Sequence, residues 1–247
     1  MAESRIDRER SFHNHRFSGE TREAQDKYYS AIAHGAEEYL ALVRSLAAGA
    51  DVLEYGCAKG GNALALAPTC RTVTGIDISD VAIDQARDAA EAAGLDNARF
   101  HAMNAEAMSF GDASFDLVFG SGIIHHLNLE NSFGEIARVL RPGGKAVFWE
   151  PLGHNRLINW YRRRTPEART PDEHPLLRSD FDVARRHFDR VDLRFYGLTT
   201  LAGVPLRGSR LHAAVHGATR ALDRVLLSVP GITWQAWYTR IVLTTRT

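Results

Sequence analysis

The 247 residues balance 30 Lys and Arg against 30 Asp and Glu, with 45% hydrophobic and 24% charged residues, an ordinary composition for a globular protein. Zero net charge argues against nucleic acid as a partner, and no apolar run nears the roughly 20 residues of a membrane-spanning helix. The only cysteines, Cys57 and Cys70, are too few for a disulfide framework or a Cys-based metal site, which fits a reducing, cytoplasmic setting.

The polar stretch Met1–Arg10 does not read as a secretory signal, and residues 11–21 read as an irregular lead-in. The pattern predicts a helix from Arg22 to Leu46, with Tyr28, Ile32, Tyr39, Leu42 and Leu46 on one face and Gly35 weakening its middle. An alternation of strands and helices follows. Strands are expected at 51–55, 71–78, 98–101, 115–120 and 145–150. Helices are expected at 62–67, 80–93 and 132–140, the first capped by Asn62. Residues 151–177, with four prolines and several arginines, break the rhythm. Beyond them come a helix at 178–187, a strand at 190–196, a helical stripe of Leu211, Val215, Ala218, Leu222, Val225 and Val229, and an edge strand at 237–244. This order predicts an α/β fold, a doubly wound, mainly parallel seven-stranded sheet. Residues 1–48 would form an N-terminal helical lid. Residues 49–247 would form the main domain, with a cap inserted at about 151–180.

Charge is uneven along the chain. Residues 1–150 carry 14 Lys and Arg against 22 Asp and Glu, and residues 151–247 carry 16 against 8. The arginines near the 211–229 stripe would let that helix lie on an anionic membrane, although such a helix more often covers a core or a dimer interface. The sequence does not fix the oligomeric state.

The stretch Glu54-Tyr55-Gly56-Cys57-Ala58-Lys59-Gly60-Gly61 ends a strand in a glycine turn, where backbone can approach a ligand. Asp77 ends the next strand about 20 residues on, where an acid can accept from two ribose hydroxyls. A nicotinamide-binding turn would prefer Gly-x-Gly-x-x-Gly, which this loop lacks. Further along stand Asn104-Ala105-Glu106, Phe115-Asp116-Leu117-Val118, Gly122-Ile123-Ile124-His125-His126-Leu127 and Arg138-Val139-Leu140-Arg141-Pro142-Gly143-Gly144.

In this order, over about residues 50–150, these segments resemble the class I methyltransferases that use S-adenosylmethionine (SAM), with Ala58 where the family has its middle glycine. The resemblance implies methyl transfer to an oxygen, nitrogen or carbon of a small molecule, with S-adenosylhomocysteine as the other product. It implies cofactor contacts from Glu54 (at the amino end of SAM), Gly56, Cys57, Ala58, Gly60, Asp77, Ile78, Asn104, Ala105, Glu106 and Gly122. Asn104 stands in place of the family's usual aspartate, its amide oxygen accepting from the adenine amino group.

Methyl transfer needs alignment and exclusion of water, plus a base when the acceptor must lose a proton. His125 and His126, then His154, are the base candidates. Tyr28, Tyr29, Glu150, Asn155, Arg163 and His174 are the candidates to grip the acceptor. No metal is expected, because no His, Asp and Glu spacing repeats a known ligand set. The segment after 150 is similar to an insertion in a bacterial subset of methyltransferases related to the quinone-biosynthesis group. This leaves a quinone or lipid methyltransferase working at a membrane surface as one alternative, and a SAM-binding protein that does not methylate as another.

Overall fold

The computed structural model describes residues 5–18, 29–165, 173–206 and 209–246. Seven strands form one sheet: β1 (Asp51–Tyr55), β2 (Thr72–Asp77), β3 (Ala98–Ala102), β4 (Phe115–Ser121), β5 (Leu140–Pro151), β6 (Arg190–Tyr196) and β7 (Tyr238–Thr244). Their order is β3-β2-β1-β4-β5-β7-β6, all parallel except β7, which runs against both neighbours. The 237–244 strand is therefore interior, and β6 is the edge. Residues fit these places: β7 buries Thr239, Ile241 and Leu243, whereas β6 alternates charged Arg190, Asp192 and Arg194 outward.

Period-two alternation sends successive side chains to opposite faces of the sheet. Val52, Leu117, Phe119, Val147 and Trp149 enter one core; Leu53, Val118, Ala146 and Phe148 enter the other. The first core is closed by α2 (Ala33–Ala47), α3 (Gly61–Leu66) and α4 (Asp80–Ala92). The second is closed by α5 (Leu129–Val139) and α7 (Asp180–His187). Within α2 the buried face is Gly35, Tyr39, Val43 and Ala47, and Leu42 and Leu46 are only partly buried. Gly35 serves packing there, since a Cβ would lie 2.5 Å from the Trp149 ring and 2.6 Å from that of Tyr196.

Three local expectations are corrected. The lead-in is helical, as α1 (Arg5–Ser18). Only Ile6, Phe12 and Phe17 are apolar in it, so no stripe announces it; polar contacts to the body fasten it instead. The helix expected from Arg22 begins at Ala33 after a 3-10 turn at Ser30–Ile32, and its earlier part, with Tyr28, lies outside the described residues. The 206–229 helix is α8 (His212–Leu226), and it turns its apolar stripe outward: Leu211, Leu222, Val225 and Val229 are 63%, 47%, 63% and 42% exposed. Its inward anchor is the buried Asp223, which accepts from the backbone N–H groups of Leu198 and Thr199 and the hydroxyls of Thr199 and Thr200. A buried carboxylate must be satisfied, and its donors dictate which side of α8 docks. The cap contributes α6 (Arg156–Arg162) and a bridge between Leu152 and Leu176.

Candidate active site

Strand order reverses between β1 and β4, which opens a crevice at the strand ends. After β1 the chain turns through Gly56, at φ +76°, where a Cβ would lie 2.7 Å from the Ile123 side chain. Ala58 takes φ +48°, a left-handed conformation that an L side chain rarely adopts. Its N–H donates to Asp77 Oδ2 at 2.8 Å, and Ser79 N–H donates to Oδ1 at 2.9 Å, so Asp77 is fixed facing the loop. Asn104 Oδ1 accepts from Glu106 N–H at 3.0 Å, and the Ala105 carbonyl accepts from the Tyr55 hydroxyl at 2.6 Å. Glu106 in turn accepts from Asn128 N–H at 2.8 Å and pairs with Arg5 of α1.

Gly56, Ala58, Asp77, Ile78, Asn104, Ala105, Glu106 and Gly122 all line one cavity of about 130 Å³. That is below the roughly 300–1,000 Å³ of ordinary ligand sites, because Arg5, Glu9, His13 and Phe17 bring α1 down as its roof. Three residues expected at the cofactor stand behind this wall. Glu54 is 3% exposed, and its carboxylate accepts from the Asn62 amide at 3.0 Å and from Ala63 N–H at 2.9 Å. It therefore anchors the start of α3, a task assigned to Asn62, and the N-cap itself is Gly60. Burial pushes the Glu54 carboxyl up to about 7, against the lowering effect of those two hydrogen bonds. The Cys57 side chain is buried beneath the loop, and Gly60 lets Phe100 pack where a Cβ would lie 2.7 Å away.

A second cavity of about 550 Å³ adjoins the first, with Arg16, Ser121, Gly122 and His126 lining both. Its wall is aromatic. Tyr29 stacks on Trp237 at 5.6 Å, and Trp149 stacks on Tyr238 at 5.1 Å. His125 lines it too, and Glu150, although no part of the wall, holds that imidazole: Nδ1 lies 2.8 Å from Glu150 Oε2. The other oxygen, Oε1, accepts from Ile123 N–H at 2.9 Å and Ile124 N–H at 3.0 Å. A fully buried carboxylate thus fixes both the loop and the ring. Burial lowers the His126 pKa, with Glu9 acting to raise it and His125 to lower it.

The remaining candidates lie elsewhere. His154 accepts from Arg178 N–H through Nε2 at 2.9 Å and packs edge-on against Trp234. Asn155 caps α6 and donates to the Gln235 carbonyl at 2.6 Å. Arg163 is exposed, whereas Arg162, one position earlier on the helix, reaches the larger cavity. His174 contributes its backbone N–H to the His125 carbonyl at 2.7 Å, and its ring pairs with Asp180 at 3.1 Å. Sequence reasoning overlooked Glu9, His13 and Arg16 of α1, and Glu173, Trp237 and Tyr238. The aromatic pair opening β7 was the one available signal, because aromatics at a strand's start beside the cleft suit an acceptor wall.

Residues 52–144 match a family described as a methyltransferase domain. A sterol 24-C-methyltransferase of Pneumocystis carinii is 32% identical over 160 residues, 64% of this chain and 40% of that protein. A 27-O-demethylrifamycin SV methyltransferase of Amycolatopsis mediterranei is 37% identical over 116 residues, 46% of this chain and 43% of that protein. The chain therefore spans about 40% of the length of such curated relatives. In fold it is similar to the crystal structure of geranyl diphosphate C-methyltransferase from Streptomyces coelicolor in complex with Mg2+, geranyl diphosphate and S-adenosyl-L-homocysteine. There the TM-score is 0.68 at 14% identity, over 100% of each chain.

Proposed function

We propose that this chain is a class I SAM-dependent methyltransferase, a reading supported by the methyltransferase-domain match over residues 52–144, and that it transfers a methyl group to a hydroxyl oxygen of an apolar, ring-bearing small molecule. The observation that carries the choice of a hydroxyl is the pairing of His125 Nδ1 with Glu150 Oε2 at 2.8 Å beside the junction of the two cavities.

The smaller cavity suits SAM. Asp77 offers carboxylate oxygens to a ribose, Ile76, Ile78, Met103 and Leu127 give apolar contact to a purine, and Gly56 keeps the approach clear of a Cβ. Because α1 leaves only about 130 Å³ there, this reading gives the lid's part to α1, which would lift for the cofactor. Bound there, SAM supplies an electrophilic methyl group on sulfur. Acceptor rings lie against Tyr29, Trp149, Trp237 and Tyr238 in the larger cavity.

With Glu150 accepting the proton on Nδ1, His125 presents Nε2 as the proton acceptor. His125 Nε2 takes the hydroxyl proton as the oxygen gains its bond to the methyl carbon and that carbon's bond to sulfur breaks, leaving S-adenosylhomocysteine, while the buried Glu150 carboxylate stabilises the imidazolium. The low cysteine count, two in the chain, supports a reducing, cytoplasmic setting.

Calorimetric titration with SAM, S-adenosylhomocysteine and NADH tests the cofactor, with binding of the two adenosyl compounds alone expected. A screen of phenols and alcohols follows, in which His125→Ala should lower turnover by about 10²–10⁴-fold. Binding of NADH alone, or an acceptor methylated equally well without His125, sinks the reading.

A second reading, action on a lipid-like acceptor at an anionic membrane, is favoured by the outward stripe of α8 with Arg210, Arg220 and Arg224 beside it. Its test is co-sedimentation with phosphatidylserine vesicles, which Leu222→Ser with Val225→Ser should abolish.

A further inference from the structure

Away from the His125–Glu150 pair, a second group of donors meets at the boundary of the cavities. Glu9 and His13 stand four residues apart on α1, so both project from one face of the helix. His126 comes from the loop after β4. Glu9 Oε2 lies 3.4 Å from His13 Nε2 and 3.5 Å from His126 Nδ1. The three donor atoms all fall within 4.8 Å of one another, and Glu9 and His126 are buried. The two imidazoles meet edge to face, with centroids 5.7 Å apart and planes at 76°.

These spacings exceed the roughly 2.7–3.2 Å of an N–H···O hydrogen bond. They match the edge of a metal tetrahedron. Ligand bonds of about 2.0–2.1 Å from a zinc ion to nitrogen and oxygen place neighbouring donors about 3.3–3.4 Å apart. We infer that Glu9, His13 and His126 form a binding site for a zinc-like divalent cation.

Donor chemistry decides the ion. Two imidazoles and one carboxylate suit zinc, whereas magnesium and calcium take oxygen ligands. His126 turns its other nitrogen, Nε2, toward Glu173 Oε1 at 3.9 Å, the side on which a carboxylate supports a metal-bound imidazole. The nearby cation Arg5 is paired with Glu106, so its charge is neutralised close by. A second grouping, His125, His126 and Glu173, shares His126 but has the longer 3.9 Å span, and Glu150 already holds His125.

Three protein ligands leave a fourth position, the arrangement of catalytic zinc sites. Glu9, His13 and His126 all line the smaller cavity and His126 lines the larger one, so the fourth ligand comes from the cavities. Resting on the proposed methyl transfer, that ligand would be the acceptor oxygen, whose proton a bound cation would make easier to remove. The same ion clips α1 to the body of the domain.

The test is titration of the tag-free full chain with zinc chloride by calorimetry. One zinc per chain is expected, with His13→Ala and Glu9→Gln each weakening binding by at least about 100-fold, the upper end of what losing a supporting outer-shell group costs. Glu9→Gln keeps side-chain size, and circular dichroism reports whether each variant is folded. Cobalt(II) gives a readout on the unmutated protein, since tetrahedral cobalt absorbs strongly in the visible and octahedral cobalt only faintly. No stoichiometric zinc binding, binding undiminished in both variants, or a faint cobalt spectrum overturns the site. SAM titrated into the same protein separates the two readings. Zinc failure with SAM binding intact removes only the metal, and SAM failure with zinc binding intact removes the methyltransferase reading.

Discussion

The residue on which the loop after β1 turns is Ala58, held at φ +48° by the bond from its N–H to Asp77. A left-handed conformation costs an L residue about 1–2 kcal/mol. Glycine removes that cost but brings back about 0.4–1 kcal/mol through its looser unfolded chain. Ala58→Gly should therefore stabilise the protein by about 0.5–1 kcal/mol, raising the melting temperature by roughly 1–4 °C for a domain of this size. An unchanged or lower melting temperature would show that the loop carries no strain at this position. Asp77 stands on the other side of the same bond. Asp77→Ala should weaken SAM binding by about 1.5–3 kcal/mol, the value of hydrogen bonds to a charged group. Calorimetry that finds affinity unaltered would place the cofactor elsewhere.

At the scale of elements, strands were the easiest to read, because β1, β2 and β4 are short apolar runs closed by glycine or by acid-bearing turns. Gly56, Ala58, Asp77 and Asn104–Glu106 stood out in the sequence as fixed points on strand ends, and they line the smaller cavity. What patterns missed are pieces held by polar contacts. The helical stripe of the second half illustrates it: α8 docks through Asp223 and leaves that stripe outside, whereas β7 was expected as a strand and differs only in lying between β5 and β6. Asn62 read as a cap because nothing local revealed that Glu54, a strand away, takes that role. These long-range contacts make opposite marks on acid stability. Glu54 binds α3 to β1, and burial pushes its carboxyl up to about 7, so the folded state holds a proton that the unfolded chain releases near pH 4.5. Its contribution therefore falls as pH rises between those values. His34, on α2 against Tyr196 and His216, is lowered to about 4 by burial and then by Arg220. The unfolded chain takes up its proton first, so stability is lost as pH falls from about 6.5 toward 4. Relative to the unmutated protein, Glu54→Gln should gain stability as pH rises through its window and His34→Gln should lose it. Denaturant titrations across that range that show the same sign for both would refute these assignments.

For the whole molecule, the two cavities meet at α1, whose Arg16 lines both. The sheet and its flanking helices interlock through apolar cores on both faces. By contrast, α1 buries only Glu9 and is held by Arg5 to Glu106 and to the His126 carbonyl, and by the Ser79 hydroxyl, which donates to Asn14. Regions with few buried apolar contacts open first, at free energies well below global unfolding. Yet Arg5, Glu9, His13 and Phe17 are also the roof of the smaller cavity, so the proposed lid role makes opening of α1 the route by which a cofactor would enter. Trypsin under native conditions should therefore cut first at Arg8, Arg10 or Arg16, while the arginines of α7 survive longer. If α1 closes over a bound cofactor, saturating S-adenosylhomocysteine should slow those cuts several-fold, because cleavage follows the population of the open form. Arg5→Ala removes both of that side chain's fastenings and should speed cleavage without ligand, leaving the melting temperature of the sheet nearly unchanged. Cleavage that begins in α7, or that is indifferent to S-adenosylhomocysteine, would mean that α1 is part of the rigid frame and that ligands reach the strand ends by another path.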